Sequence, residues 1–144
     1  MEFINRIIHA LTETHPLHPM LVHFPIALTG AGALLILLAA WKNNPSLEQA
    51  AFANITLAFF GSIAAGLSGM RDNISNYDGL APNAGLKIVL AFILILITGI
   101  TTYMRWKNPQ LFSTSKGFYI AAYIASFLIA LVLAFLGGVI LYGF

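Results

Sequence analysis

PMLVHFPIALTGAGALLILLAAW, residues 19–41, decides the fold. It carries no Asp, Glu, Lys or Arg and is long enough to cross the hydrocarbon of a bilayer, which takes roughly 20 mainly apolar residues in a helix. In lipid the backbone must satisfy its own hydrogen bonds, so such a segment is helical. Three further apolar stretches follow at residues 49–70, 83–105 and 117–142. Between them, Trp41-Lys42-Asn43-Asn44-Pro45-Ser46 reads as a tight turn, residues 71–82 as a longer polar loop, and Arg105-Trp106-Lys107-Asn108-Pro109 as the start of the third connection. Short connections make antiparallel neighbours. The expectation is an all-α integral membrane protein, an up-down bundle of four transmembrane helices forming a single membrane domain over residues 1–144.

Composition agrees with this reading. Hydrophobic residues make up 59% of the chain and charged ones 8%, against roughly 25% charged in soluble domains, and the mean hydropathy is +0.85. Cysteine is absent, which excludes disulfides, thiolate metal sites, a Cys nucleophile and covalent c-type haem attachment. Seven Lys and Arg against five Asp and Glu are too few for a phosphate-binding surface, so no nucleic-acid partner is expected. No Ser/His/Asp arrangement, carboxylate pair or Gly-rich phosphate loop is evident, and no catalytic constellation is expected.

Ahead of the first span, Phe3, Ile4, Ile7, Ile8 and Leu11 fall on one side of a helix, with Glu2, Asn5, Arg6, His9 and Thr12 opposite. That pattern predicts a short amphipathic helix over about residues 2–12, lying along the membrane interface. The plainer alternative is a helix packed on a partner. Within the second span, Gly61, Ala65 and Gly69 recur every fourth residue and form a stripe where another helix can approach closely.

Orientation follows from the charges flanking the spans. One face gathers Arg6, Arg71 and Lys87 against Glu2, Glu13, Asp72 and Asp78; the other gathers Lys42, Arg105, Lys107 and Lys116 against Glu48 alone, with Trp41 and Trp106 as interfacial anchors. The second face is expected in the cytoplasm and both termini outside it, in a bacterial cytoplasmic membrane.

All the histidines lie near the start: His9, His15, His18 and His23. Pro19 suits the first position of a helix, which makes His18 its cap. Pro25 cannot donate to the Leu21 carbonyl, so a kink is expected there, with His23 about one turn into the membrane beside it. Neutral imidazole ligates Zn, Cu or haem iron, and an ionisable group at membrane depth is a functional candidate. A hydrogen bond to a neighbouring helix or to water is the competing explanation.

The run His18-Pro19-Met20-Leu21-Val22-His23-Phe24-Pro25-Ile26-Ala27-Leu28 resembles the opening motif of a bacterial membrane-protein family, domain of unknown function 2231. Gly61, Ala65, Gly69 and Asp72 are similar to the close of its second span. The resemblance implies a small cytochrome-type bundle. Related architectures joined to Rieske or cytochrome c modules point towards membrane redox chemistry, with haem b as the implied cofactor. Many members carry a histidine near the start of the third span, where this chain has Asn83. A haem ligated twice needs ligands on opposite faces of the macrocycle, and His18 and His23 share one segment. Candidate ligation therefore pairs His23 with a symmetry mate in a homodimer, recruits a methionine such as Met70, or uses one axial ligand.

The leading expectation is thus a redox-linked subunit holding haem b through His23 aided by His18, with a homodimer or a larger membrane redox complex as its expected setting. Its rivals are a cofactor-free structural or assembly subunit, and a Zn or Cu site made by His15, His18 and His23 with Glu13 or Asp72. Tyr119, Tyr123 and Ser126 share a face of the fourth span, as Thr98 and Thr102 do of the third. They are candidates for a polar pocket suited to a quinone head, or for helix–helix hydrogen bonds. Asp72 and Asp78 are expected to face water.

Overall fold

The structure, a computed structural model, describes residues 2–9 and 17–142. Its helices are α1 (Glu2–His9), α2 (Leu17–Lys42), α3 (Pro45–Tyr77), α4 (Ala84–Lys107), α5 (Leu111–Thr114) and α6 (Lys116–Tyr142). Four of them, α2, α3, α4 and α6, are long and apolar enough to cross a membrane. Each packs against the next, and α6 closes back onto α2. The start of α2 and the end of α6 therefore share one face, termed the first, and the α2–α3 turn lies on the second.

Local chemistry sets where the helices begin and end. Asn44 caps α3, its side chain accepting from the N–H groups of Ser46 (2.9 Å) and Leu47 (3.4 Å), and Pro45 fills the first helical position, where no N–H is needed. The far end of α3 corrects the sequence reading. Residues 71–77, expected in a loop, continue the helix, and the chain turns only at Asp78 (φ 48°) and Gly79 (φ 80°). The N–H groups of both turn residues reach the Asn73 carbonyl, and the Asn73 side chain accepts from Ala81. Hydropathy marks where a chain leaves lipid, whereas a helix stops at a residue that breaks it. With 33 residues, α3 is about 50 Å long, well beyond the roughly 30 Å of hydrocarbon.

The one-turn helix α5, not foreseen from the sequence, buries Leu111 beneath the α6 end of the core. In α1, Glu2 and Arg6 pair at 3.2 Å and Phe3, Ile4 and Ile7 form an exposed apolar side, which suits an interface. Residues 10–12 of the expected amphipathic segment lie outside the described residues.

The stripe on α3 does what its spacing predicts. A side chain added at Gly61 would meet Pro25 and Phe24 of α2, and one added at Gly69 would meet the His18 ring. The absence of a Cβ at both positions lets α2 lie close along α3. Thr29 folds its hydroxyl back to the Pro25 carbonyl at 2.6 Å, and α2 runs on through the proline.

Candidate functional site

Two polar clusters occupy the bundle, one towards each face. Near the first face, α2 starts at Leu17, so His18 is inside the first turn and is not its cap. Its backbone N–H, one of those that a helix start leaves unpaired, points at the Asp72 carboxylate of α3, 3.3 Å away. Asp72 thus serves α2 as a cap supplied by another helix and puts a negative charge at the positive end of its dipole. It is half-buried and helical, not a water-facing loop residue as expected.

The His18 ring turns inward as well. Its Nδ1 lies 2.9 Å from the Ala65 carbonyl, which can only accept, so Nδ1 carries the proton. Ser68 Oγ sits 3.2 Å from the same nitrogen. The ring rests on Gly69, where an added Cβ would lie 2.8 Å from Cε1 and 3.2 Å from Nε2.

His23 points elsewhere. Five residues along a helix rotate a side chain by about 140° from its predecessor, and His23 is exposed on the outer side of α2, with Nδ1 donating to the Pro19 carbonyl of its own helix. That bond leaves Nε2 facing outward. The two histidines therefore do not converge, and Met70, exposed on α3, joins neither. Asn83 is a turn residue with φ 57° that precedes α4 and makes no side-chain cap. The arrangement does not fit a haem held between two ligands of one protomer: the His18 ring is enclosed against α3, and His23 stands alone. Among the described residues no three His, Asp or Glu side chains converge as metal ligands. His15, which the Zn or Cu reading needs, and Glu13, one of its two carboxylate choices, lie outside the described residues.

Towards the second face lies a cluster that sequence reasoning did not assemble. Arg105 of α4 grips Glu48 of α3 with Nε at 2.7 Å from Oε1 and Nη2 at 2.9 Å from Oε2, a two-pronged ion pair. Tyr119 of α6 donates to Glu48 Oε1 at 3.0 Å, and its oxygen is also 3.0 Å from the Tyr123 hydroxyl. Arg105 lies over the Phe52 ring, 5.2 Å from its centre. Glu48 is 5% exposed and both tyrosines are essentially sealed. Gly32 of α2 receives the Tyr123 ring, since a Cβ there would stand 3.3 Å from it. All four long helices thus meet at this cluster.

The expected polar pocket around Tyr119, Tyr123 and Ser126 is a packed joint. Ser126 and Thr98 bond to carbonyls of their own helices, and the buried Thr102 hydroxyl has no hydrogen-bond partner among the described residues. A cleft of about 430 Å³ does open between α2 and α3, but Leu21, Phe24, Leu57 and Phe60 are typical of its wholly apolar lining. It brings no chemical group to a ligand.

A signal for the missed pair was available. Glu48 falls on the same three-four spacing as Ala51, Ile55, Ala58, Ser62, Ala65 and Ser68, the buried face of α3, and Arg105 continues the buried series Leu94, Thr98, Thr101 on α4. In the sequence alone both count only as charges flanking the spans.

No curated protein and no solved structure matches the chain. One family does, over residues 14–144, and it is described as predicted membrane proteins (DUF2231). With four spanning helices and nearly the whole length covered, the chain belongs to the DUF2231 family of multi-pass membrane proteins.

Proposed function

We propose that this protein is a cofactor-free structural or assembly subunit of a membrane complex, a rigid four-helix anchor in a bacterial cytoplasmic membrane. The observation that carries the reading is the use made of the buried ionic and aromatic groups. Glu48, Arg105, Tyr119 and Tyr123 are all engaged with one another across three helices, and His18 is engaged with α3 through both its ring and its backbone. In lipid, where apolar packing alone gives little drive for helices to associate, such cross-helix polar contacts hold a bundle in register.

The histidines separate this reading from a ligand-binding one. His18→Ala is expected to lower stability by about 1–2 kcal/mol, the worth of a lost part-buried hydrogen bond and its packing. His23→Ala should change stability by less than about 0.5 kcal/mol, as for other exposed substitutions. Unfolding by denaturing detergent in mixed micelles measures both. The reverse ranking would count against the anchor.

A second reading, a redox subunit with haem b, is favoured by one feature. The Pro19 carbonyl holds His23 Nδ1 and so directs Nε2 outward, the arrangement that typically orients a ligating histidine. With His18 enclosed, His23 would need a second copy of the chain to complete the ligation.

For orientation, we propose that the first face is outside the cytoplasm. Arg105 neutralises Glu48 inside the bundle, so among the described residues the second face shows water only cations, in line with the excess of Lys and Arg on cytoplasmic loops. A cysteine at the exposed Asn76 should then react with an impermeant reagent added to intact cells, while one at Ser113 should not. Labelling at Ser113 alone would invert the topology.

A further inference from the structure

The second face presents its exposed lysines in a particular setting. Lys42 ends α2 and Lys107 ends α4, and both are exposed. Lys42 lies 6.0 Å from the centre of the Trp41 ring, and Lys107 lies 5.6 Å from Trp106 and 5.9 Å from Tyr103. These aromatic side chains are themselves exposed, Trp41 at 78% and Trp106 at 70%, at the level where indole rings settle between acyl chains and headgroups.

The remaining charges of this face are turned inward. Arg105 is locked to Glu48, and Lys116 reaches the Ala40 carbonyl at 3.3 Å and the Asn43 side chain at 3.4 Å, closing the end of α2. Glu48, the one acidic residue near this face among those described, is thereby withdrawn from the surface. What is left outside is a rim of ammonium groups beside amphipathic rings, with no carboxylate among the described residues to compete.

We infer that the rim formed by Lys42 with Trp41 and Lys107 with Trp106 and Tyr103 binds the headgroups of anionic phospholipids. The ring stacks against the glycerol and upper acyl region, and the ammonium group meets the phosphodiester. A zwitterionic headgroup supplies the same phosphate but cancels it with its own cation, so the selectivity rests on net lipid charge. The inference goes beyond the anchor reading and does not depend on which side of the membrane the face occupies.

The test uses the full chain in neutral detergent, equilibrated with an equimolar mixture of phosphatidylglycerol and phosphatidylcholine, with retained lipid counted by native mass spectrometry. Wild-type protein should retain phosphatidylglycerol preferentially, and the preference should weaken as salt is raised. Each lysine should account for about fivefold of it at its own headgroup. K42Q/K107Q should therefore lose it and K42R/K107R should keep it. Both are surface changes that leave the Glu48–Arg105 joint untouched, and circular dichroism verifies the fold. Equal retention of the two lipids by wild-type protein, an undiminished preference in K42Q/K107Q, or its loss in K42R/K107R would each overturn the inference.

Discussion

Replacing Glu48 with alanine is expected to destabilise the bundle by about 3–5 kcal/mol, the range seen when one member of a buried ion pair loses its partner. The Arg105 guanidinium would lose both acceptor oxygens, and its side chain is only 16% exposed, so water cannot readily replace them. Tyr119 would lose the same acceptor. Arg105→Ala should fall in the same range, because it strands the carboxylate. Removing both charges at once should be far milder: Glu48→Leu with Arg105→Leu leaves no buried charge, and apolar replacements of such pairs are often nearly neutral. Tyr123→Phe, which takes away one hydroxyl contact, should cost only about 1 kcal/mol. Unfolding in mixed micelles reads all four variants. A loss below about 1 kcal/mol for Glu48→Ala would mean that the pair behaves like an exposed surface bridge.

Gly69→Ala is the second large effect, because the contact it breaks is stiff. The new Cβ would stand 2.8 Å from His18 Cε1 and 3.0 Å from Nδ1, and the ring cannot swing aside without leaving the Ala65 carbonyl. Overpacking of this kind costs about 1–3 kcal/mol, and the shift would also draw the His18 N–H from Asp72. Gly66 on the same helix is the control. A Cβ there meets only Ile95 Cδ1 at an ordinary 3.8 Å, so Gly66→Ala should stabilise α3 by about 0.5–1 kcal/mol through helix propensity. Opposite signs at these two positions would verify the α2–α3 contact. Equal effects would mean that the helices do not meet through Gly69.

The spans were legible because lipid imposes one simple rule on both length and polarity, and each expected stretch falls largely within its observed helix. What hydropathy could not show was the continuation of α3 through residues 71–77, where the chain has left the apolar run but has met no breaking residue. On α6, the spacing of Tyr119, Tyr123 and Ser126 revealed the inward face correctly. The partner of the tyrosines stayed hidden, since Glu48 and Arg105 sit at span ends beside Trp41 and Trp106, where charges usually meet water.

The histidine segment shows a different limit. His18 and His23 are near neighbours in sequence, which suggested a shared site, but helical rotation sends one into the bundle and the other out of it. Asp72, read as part of a loop, became the cap of a helix that starts 55 positions earlier in the chain, at Leu17. No local pattern announces a cap supplied across that distance. The glycines did point to the contact, because Gly61 and Gly69 mark where α2 must come close.

The claim that the core groups bind helices to one another and not a cofactor is tested most directly by the absorption spectrum and metal content of the full chain isolated from its native membrane with its ligands retained. The anchor account predicts colourless protein with no Soret band and no stoichiometric metal. A Soret band that persists in His9→Ala and disappears in His23→Ala would contradict it.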